Sequence, residues 1–309
     1  MAADKVQGED EKRFHRGERV GDGFDSQQGT LRIGRLVFNR GMKRFLLILI
    51  ASSIPSFAEL PVMSDKTEWL GYFVGWEGKS SDFGIGSDGA SLIHPKERGK
   101  RAGHKEIKVR YVVEEEVKGK WVRRKIIEED GLSSETEKGL DPKKPVAFKM
   151  TVTGGTVVEW THAPSRGKFA VMPKIVEKTT ENKIRVGIEF SLPRLYRFDT
   201  MPEERELKKK VGGDYVRGTR LKDRKKVKVK FSDLEDDITS EEFLGDGASA
   251  VEIESEPLTG TLVIENGSEK SGRIDIDTNG ALYNSFKVLW MADSEKLGER
   301  DTYVTFEVE

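Results

Sequence analysis

The chain has 309 residues, with 53 Lys and Arg against 54 Asp and Glu, and it contains no cysteine. A disulfide framework, a thiol nucleophile and a lipid anchor on a cysteine after the signal are therefore excluded. The near balance of charge argues against nucleic-acid binding, which usually brings a clear basic excess. The charged fraction of 35% and the apolar fraction of 36% favour a thin two-layer structure, because much of each element must face water.

A secretory signal peptide is predicted at residues 42–58. Lys43 and Arg44 supply its basic start, and an unbroken apolar run follows at 45–51. Ser56 and Ala58 are the small residues expected before a cleavage site, so we expect cleavage near Ala58. The run is shorter than the about 20 apolar residues of a membrane-spanning helix. We therefore expect a periplasmic or extracellular protein with no membrane span after signal removal; a buried core segment and a membrane anchor are the alternatives.

Residues 1–41 are interpreted as a disordered or mis-assigned upstream extension. They are polar and rich in glycine and show no sustained period, as is typical of disordered sequence. Met42 stands where a start methionine is expected, and an unusually long signal is the alternative. The expected mature chain, 59–309, has 43 Lys and Arg against 47 Asp and Glu.

The mature chain alternates between apolar and polar residues with a period of two. This pattern is typical of half-buried antiparallel strands. The predicted inward-facing sets are Ile107, Val109 and Tyr111; Ile184, Val186, Ile188 and Phe190; Val227, Val229 and Phe231; and Val304, Phe306 and Val308. The lysines and arginines between them, including the basic runs at 98–105 and 217–226, are interpreted as solvated strand faces.

Helix is predicted sparingly. The clearest segment is 202–210, where a proline and acidic residues precede a run of lysines. The surrounding residues 197–212 are charged and end in two glycines, so they are predicted to be a linker between domains.

An internal repeat is suggested by five matches in the same order. The matched blocks are 98–111 with 217–231, 129–139 with 235–245, 155–160 with 260–265, 167–171 with 272–276, and 184–190 with 302–308. Each copy would have one private strand, at 120–127 and 285–291. We therefore predict an all-β protein with two tandem antiparallel β-sandwich domains, 59–196 and 213–309, produced by duplication. Chance similarity among strands of one composition is the alternative.

Local details of the two copies are predicted to be equivalent. Short capped helical turns are expected at 133–138 and 239–244, ended by Gly139 and Gly245. Gly155 and Gly260 are expected at equivalent turns. The second copy has about seven strands in about 97 residues, the size of an immunoglobulin-like or fibronectin type III-like sandwich.

Two short motifs have a ligand-binding and a structural interpretation. The spaced glycines of GIGSDG at 84–89 fit a dinucleotide motif, but no helical pattern follows, so a loop is predicted. Asp275, Asp277 and Asn279 match the start of a calcium loop. Phe286 stands where the final bidentate Glu should be, so a strand leading into an Asn-Gly hairpin is favoured over a metal site.

No catalytic constellation is found in the sequence. His94, His104 and His162 lack metal-motif spacing and are expected on the surface or in loops. The five tryptophans, at 69, 76, 121, 160 and 290, are expected mainly in the core, with an exposed sugar-stacking platform as the alternative. No cofactor is predicted, and calcium is the single weak metal candidate.

The expected function is an exported, non-enzymatic binding, adhesion or envelope-structural module that contacts protein or carbohydrate at the cell envelope. The main alternative is an exported carbohydrate-active hydrolase with carboxylate catalysis between the two domains. A cleft rich in acids and tryptophans would favour that alternative. A weaker one is a single lipocalin-like barrel that binds an apolar ligand.

Overall fold

The strands lie largely where the alternating pattern predicts them. The computed structural model describes residues 59–63, 67–103, 105–165, 168–193, 203–231, 240–268, 272–277, 287–297 and 302–309. Up to residue 191 the strands are β1 (Tyr72–Glu77), β2 (Ser81–Gly86), β3 (Ser91–Glu97), β4 (Lys100–Arg101), β5 (Ile107–Val117), β6 (Lys120–Arg123), β7 (Leu132–Ser133), β8 (Gly139–Leu140), β9 (Val146–Thr151), β10 (Val157–Ser165), β11 (Lys168–Glu177) and β12 (Ile184–Ser191). Beyond it they are β13 (Tyr215–Arg220), β14 (Lys226–Lys230), β15 (Ala248–Ser255), β16 (Gly260–Asn266), β17 (Arg273–Asp277), β18 (Lys287–Asp293) and β19 (Val304–Val308).

The predicted inward faces are confirmed for all four alternating segments. The predicted residues of β12 and β19 are buried, as are Ile107 and Val109 of β5, with Tyr111 packed against the same core. Val227 and Val229 of β14 are half-buried and pack against the core, and Phe231 is buried. The predicted private strands are present as β6 and β18.

These strands form one large sheet that curls over on itself. One half runs in the order β8, β1, β2, β3, β5, β12, β18, β17. The other runs β14, β13, β15, β16, β19, β11, β10, β9, β7. The two halves meet where Ala248 of β15 pairs with Ile274 of β17. All pairs are antiparallel except β1 with β8.

The two halves of the sheet pack face to face through aromatic side chains. Phe83 of β2 lies 5.0 Å from Phe169 of β11 and 5.1 Å from Phe306 of β19, between ring centroids. Phe190 of β12 lies 5.3 Å from Phe306. Offset and edge-to-face pairs of this kind add to the hydrophobic stabilisation of a core. The mostly β architecture predicted from the sequence is therefore confirmed.

The two segments predicted as separate domains share this core. β18 lies between β17 and β12, and seven residue pairs join it to β12. β19 lies between β16 and β11. Residues 55–309 accordingly form one compact unit, with one hydrophobic cluster that runs from Leu60 to Val308. The strand order shows neither tandem sandwich domains nor an immunoglobulin-like topology.

The predicted equivalence of the repeated blocks is wrong. Residues 107–111 lie in β5 between β3 and β12, whereas 226–230 form β14, which pairs only with β13 in the described part of the chain. β10 pairs with its successor β11, whereas β16 pairs with β15 and β19 instead of β17. The matched blocks therefore do not occupy equivalent places in the described sheet.

Local details at the repeated blocks also differ. Gly155 has a φ of +82° in a turn, whereas a Cβ on Gly260 would lie 2.3 Å from the backbone oxygen of Glu309. One glycine is required by backbone conformation and the other by close packing. The capped turn predicted at 133–138 is not helical: the hydroxyl of Ser134 accepts the N–H of Thr136 and donates to the carbonyl of Ala147, which ties this segment to β9.

Two short helices are described. α1 (Glu204–Val211) confirms the predicted helix, with three lysines in its last turn, and α2 (Ser240–Leu244) confirms the second predicted turn. Val211 is buried in the common core, so part of the predicted linker packs against the sheet. No helix in the described ranges is long and apolar enough to cross a bilayer.

A pair of matched substitutions tests the non-equivalence of β5 and β14. Val109→Asp should unfold residues 59–309, because an unpaired carboxylate buried at this fully inaccessible site costs several kcal/mol. Val229→Asp on the half-exposed edge strand should lower the free energy of unfolding by about 1–2 kcal/mol. Urea denaturation of both variants measures the difference, and equal losses would contradict the strand placement.

Candidate functional site

A well-defined cleft lies where the β1–β2 turn, the adjoining ends of β10 and β11 and the end of β19 meet. Its volume is about 550 Å³, within the range of small-molecule sites. Its lining includes Trp76, Phe169 and Pro164, and we call it the aromatic cleft. Its charged lining residues are Glu77, Lys79, Asp141, Lys168, Glu307 and Glu309. The site thus combines an apolar wall with an excess of acidic groups.

Lys168 is the best-fixed charge of the aromatic cleft. Its Nζ lies 2.6 Å from an oxygen of Glu265 and 2.9 Å from one of Glu307. The three residues come from the neighbouring strands β11, β16 and β19, so the sheet itself sets their spacing. Hydrogen bonds to Glu265 and Glu307 raise the pKa of Lys168. The ammonium group therefore stays charged at neutral pH.

The tryptophans are mostly core residues, as expected. Trp76 is 4% exposed and stacks on Phe83 at 5.6 Å, so it offers the cleft only an edge. Its indole N–H is buried without a hydrogen-bond partner among the described residues. Trp121 is 37% exposed, but the guanidinium of Arg185 lies 4.3 Å from its ring centre. An open tryptophan platform for sugar rings is therefore not found in the described part.

A polar chain of three side chains crosses the core between the two halves of the sheet. The hydroxyl oxygens of Ser91 and Tyr111 lie 2.7 Å apart, and the Tyr111 hydroxyl lies 2.6 Å from Nε2 of His162. His162 stacks on Phe148 at 5.6 Å, with an angle of 11° between the rings. We call this group the core polar chain.

Burial controls the ionisation of the core polar chain. It lowers the pKa of His162 to about 3, and the nearby backbone of Val146 and Trp160 offsets only part of this effect. Burial also raises the pKa of Tyr111, against the hydrogen bond from Ser91. Both side chains are neutral at physiological pH because water is excluded from their charged forms. The Tyr111 hydroxyl pairs with Nε2 of His162, whereas Nδ1 of His162 is buried and has no partner at hydrogen-bond geometry among the described residues.

The expectation of surface or loop histidines is wrong for the two that are described. His162 is 1% exposed, and His94 is buried with its Nε2 2.7 Å from the Tyr72 hydroxyl. His104 lies outside the described residues. The alternating pattern of β10 could have predicted that His162 is buried. His162 follows Val158 and Trp160 at alternate positions, and all three lie on the inward face.

The GIGSDG segment forms the β2–β3 hairpin, which agrees with the loop interpretation. No helix follows it, and its turn is closed by the N–H of Gly86 donating to the carbonyl of Ala90. Gly84 is needed for packing, because a Cβ there would lie 2.5 Å from the ring of Tyr72. The glycine spacing therefore serves a hairpin rather than a phosphate site.

An ion-pair cluster covers the outer side of the same hairpin. The buried carboxylate of Asp82 lies 2.6 Å from Lys96 Nζ and 2.9 Å from Arg101 Nε. The Arg101 guanidinium also lies 4.1 Å from the ring centre of Trp69. Two cations balance this one acid, so the cluster links β2 to the end of β3 and to β4 and leaves no unbalanced carboxylate.

The calcium candidates lie on a strand as far as they are described. Asp275 and Asp277 belong to β17, and Arg273 Nε lies 2.9 Å from Asp275. An extended strand separates alternate side chains, whereas a calcium loop curls so that they converge. Asn279 lies outside the described residues. Among the residues that are described, no three His, Cys, Asp or Glu side chains come together as a metal site.

Two buried carboxylates have perturbed ionisation. Glu115 accepts hydrogen bonds from Asn182, Thr180 and Arg124, which lower its pKa against the effect of burial. Burial would raise the pKa of Glu189, but Arg123 outweighs it and the pKa is lowered. A general acid at neutral pH needs the opposite shift.

Comparison with known proteins assigns no activity to this site. The sequence matches no protein-family model, and no curated protein shows significant similarity to it.

Proposed function

We propose that residues 59–309 form an exported, non-enzymatic binding module that holds carbohydrate of the cell envelope in the aromatic cleft. Export rests on the signal pattern at 42–58. The single observation that supports binding at the cleft is the Lys168 ion-pair arrangement beside the apolar wall.

The chemistry of the cleft suits a sugar ligand. Apolar surface from Phe169 and Pro164 complements the C–H faces of a sugar ring. Lys168 donates hydrogen bonds and the carboxylate of Glu307 accepts them, so together they match the dual character of hydroxyl groups. Because the ion pair is already in place, binding requires little ordering of these side chains.

A hydrolase is the second candidate, and the acidic lining of the cleft favours it. Glu77, Asp141, Glu307 and Glu309 are all lining residues, and paired carboxylates can cleave glycosidic bonds. Against it, Lys168 lies 2.9 Å from Glu307, and a neighbouring cation favours the ionised carboxylate over the protonated acid that donates a proton. We therefore favour binding without cleavage.

The test is a calorimetric titration of the exported protein, whose expected N-terminus is Glu59. Soluble oligosaccharides of the cell envelope are the ligands. The same mixtures are assayed for new reducing ends. We expect saturable binding without cleavage. Lys168→Met should weaken binding at least tenfold, because a hydrogen bond to a charged group contributes about 1.5–3 kcal/mol. Lys174→Met, on an exposed site of the same strand outside the cleft, should leave binding unchanged.

Two results would contradict this proposal. Reducing ends that appear with the wild type and vanish in Glu307→Gln would establish the hydrolase instead. Absence of binding by every oligosaccharide would refute carbohydrate recognition at the cleft.

A further inference from the structure

β14 is an edge strand with a strongly basic surface. It pairs with β13 through five residue pairs and has no second neighbour in the described part of the sheet. The hairpin at 217–230 contains eight Lys or Arg and one Asp, although the whole chain has a net charge of −1. An edge strand presents unpaired N–H and C=O groups to which a further strand can bind.

The row of charged residues that oppose one another across β15, β13 and β14 ends with a lysine on β14. Glu252 of β15, Arg217 of β13 and Lys228 of β14 form one row of directly opposed residues. An oxygen of Glu252 lies 2.5 Å from Arg217, so that acid is already paired. Lys228 opposes Arg217, and its ammonium lies 3.5 Å from the ring centre of Tyr215, so it has an aromatic contact but no acidic partner among the described residues. Like charges directly opposite one another are destabilising. An acidic residue on the outer side of Lys228 would balance the row.

The next rows of opposed residues on the same face, on either side of Lys228, also end with a lysine of β14. Lys226 and Lys230 lie on the same exposed face as Lys228, about 7 Å apart from one lysine to the next. Neither forms an ion pair within the described residues. On the opposite face, Val227 and Val229 pack against the core. A complementary strand would therefore alternate acidic and apolar residues.

The sheet already contains a strand of this kind on the other side of β13. β15 carries Val251, Glu252, Ile253 and Glu254 in alternation, and its full contact with β13 covers six residue pairs. A second copy of β14 is a poor occupant, because its lysines would oppose lysines.

We propose that the edge of β14 binds an extended acidic peptide segment, with alternating Glu or Asp and Val or Ile, as an added strand of the sheet. Main-chain hydrogen bonds supply affinity in such β-augmentation, and alternate side chains supply specificity. Lys226, Lys228 and Lys230 select the acids. This surface shares no residue with the aromatic cleft. The proposal of peptide binding is therefore tested independently of carbohydrate binding.

The probe is a fluorescent peptide with the sequence of 249–256, SAVEIESE, in which three glutamates alternate with other residues. We expect fluorescence anisotropy to show binding to residues 59–309 that weakens as salt is raised. Replacing its three glutamates by glutamine should weaken binding at least tenfold. N-methylation of alternate backbone nitrogens on its hydrogen-bonding edge should do the same, because it removes ladder donors.

Lys228→Glu should weaken binding at least tenfold, and it should remain folded because it places an acid opposite Arg217. Lys225→Glu makes the same charge change in the exposed turn and should alter binding less than threefold. Equal losses in both variants would show that the surface attracts anions without regard to strand pairing. Equally tight binding of the N-methylated peptide, or of a sulfated oligosaccharide, would show the same. Any of these results would overturn the proposal. Binding seen only after neutralising the four acids that follow β14 in the sequence, Asp233, Glu235, Asp236 and Asp237, would also overturn it.

Discussion

Residues 213–309 expressed alone should fail to fold, although they were predicted from the sequence to be a complete domain. Without the first segment, β18 loses its seven residue pairs with β12, and β19 loses β11. Phe306 would lose its contacts with Phe83, Phe169 and Phe190. Truncating one such aromatic residue costs about 3–5 kcal/mol, and the whole stability of a domain is about 5–15 kcal/mol.

Circular dichroism and thermal melting of the isolated segment measure this outcome. The control is 59–309, which should melt in one cooperative transition. Co-expression of 59–196 with 213–309 should restore folded material if the missing contacts are the cause. A cooperative melt of 213–309 by itself would show two independent domains and contradict the shared core.

Acid should destabilise the protein well above the pH at which its carboxylates titrate. His162 has a folded pKa of about 3, and His94 one of about 4 because of burial and the charge of Arg101. An unfolded histidine has a pKa of about 6.5, so the unfolded state binds more protons below that value. Stability is therefore lost as pH falls below about 6.5, by up to about 1.4 kcal/mol per pH unit for each histidine.

The buried carboxylates change the stability of the protein at a lower pH than the histidines do. Glu115 and Glu189 have lowered folded pKa values, so they stabilise the protein above their unfolded pKa of about 4.3. That contribution is lost only as pH falls through their folded values. Between pH 6.5 and 5 the described histidines therefore dominate the slope.

Urea denaturation at pH 7, 6 and 5 tests this assignment with His162→Gln. The variant should be less stable at pH 7, because it disturbs the core polar chain, but its loss of stability between pH 6 and 5 should be smaller than that of the wild type. His94→Gln tests the second buried histidine in the same way. It should reduce the loss of stability between pH 6 and 5 by a comparable amount. A slope unchanged in both variants would refute the role of buried neutral histidines.

Strand positions and strand faces were predictable from the sequence, because alternation is a local property. Each apolar residue of 184–190 lies on the buried face as predicted, and His162 has the same parity as Trp160. The aromatic cleft was not predictable, since Trp76, Lys168 and Glu307 come from strands that are far apart in the sequence. The core polar chain escaped prediction for the same reason.

The sequence by itself determined where the chain is extended, which side of each strand is apolar, that a short helix lies near 202–210, and how charge is distributed. Only the tertiary structure decided which strands are neighbours. The start of β5 and the whole of β14 alternate apolar and basic residues in the same way, so their local energetics do not distinguish a central strand from an edge. Long-range packing makes that choice, because β5 can bury Val109 between β3 and β12 beneath the opposite half of the sheet. The same packing joins the two apparent copies into one core and leaves β14 paired with β13 alone among the described strands.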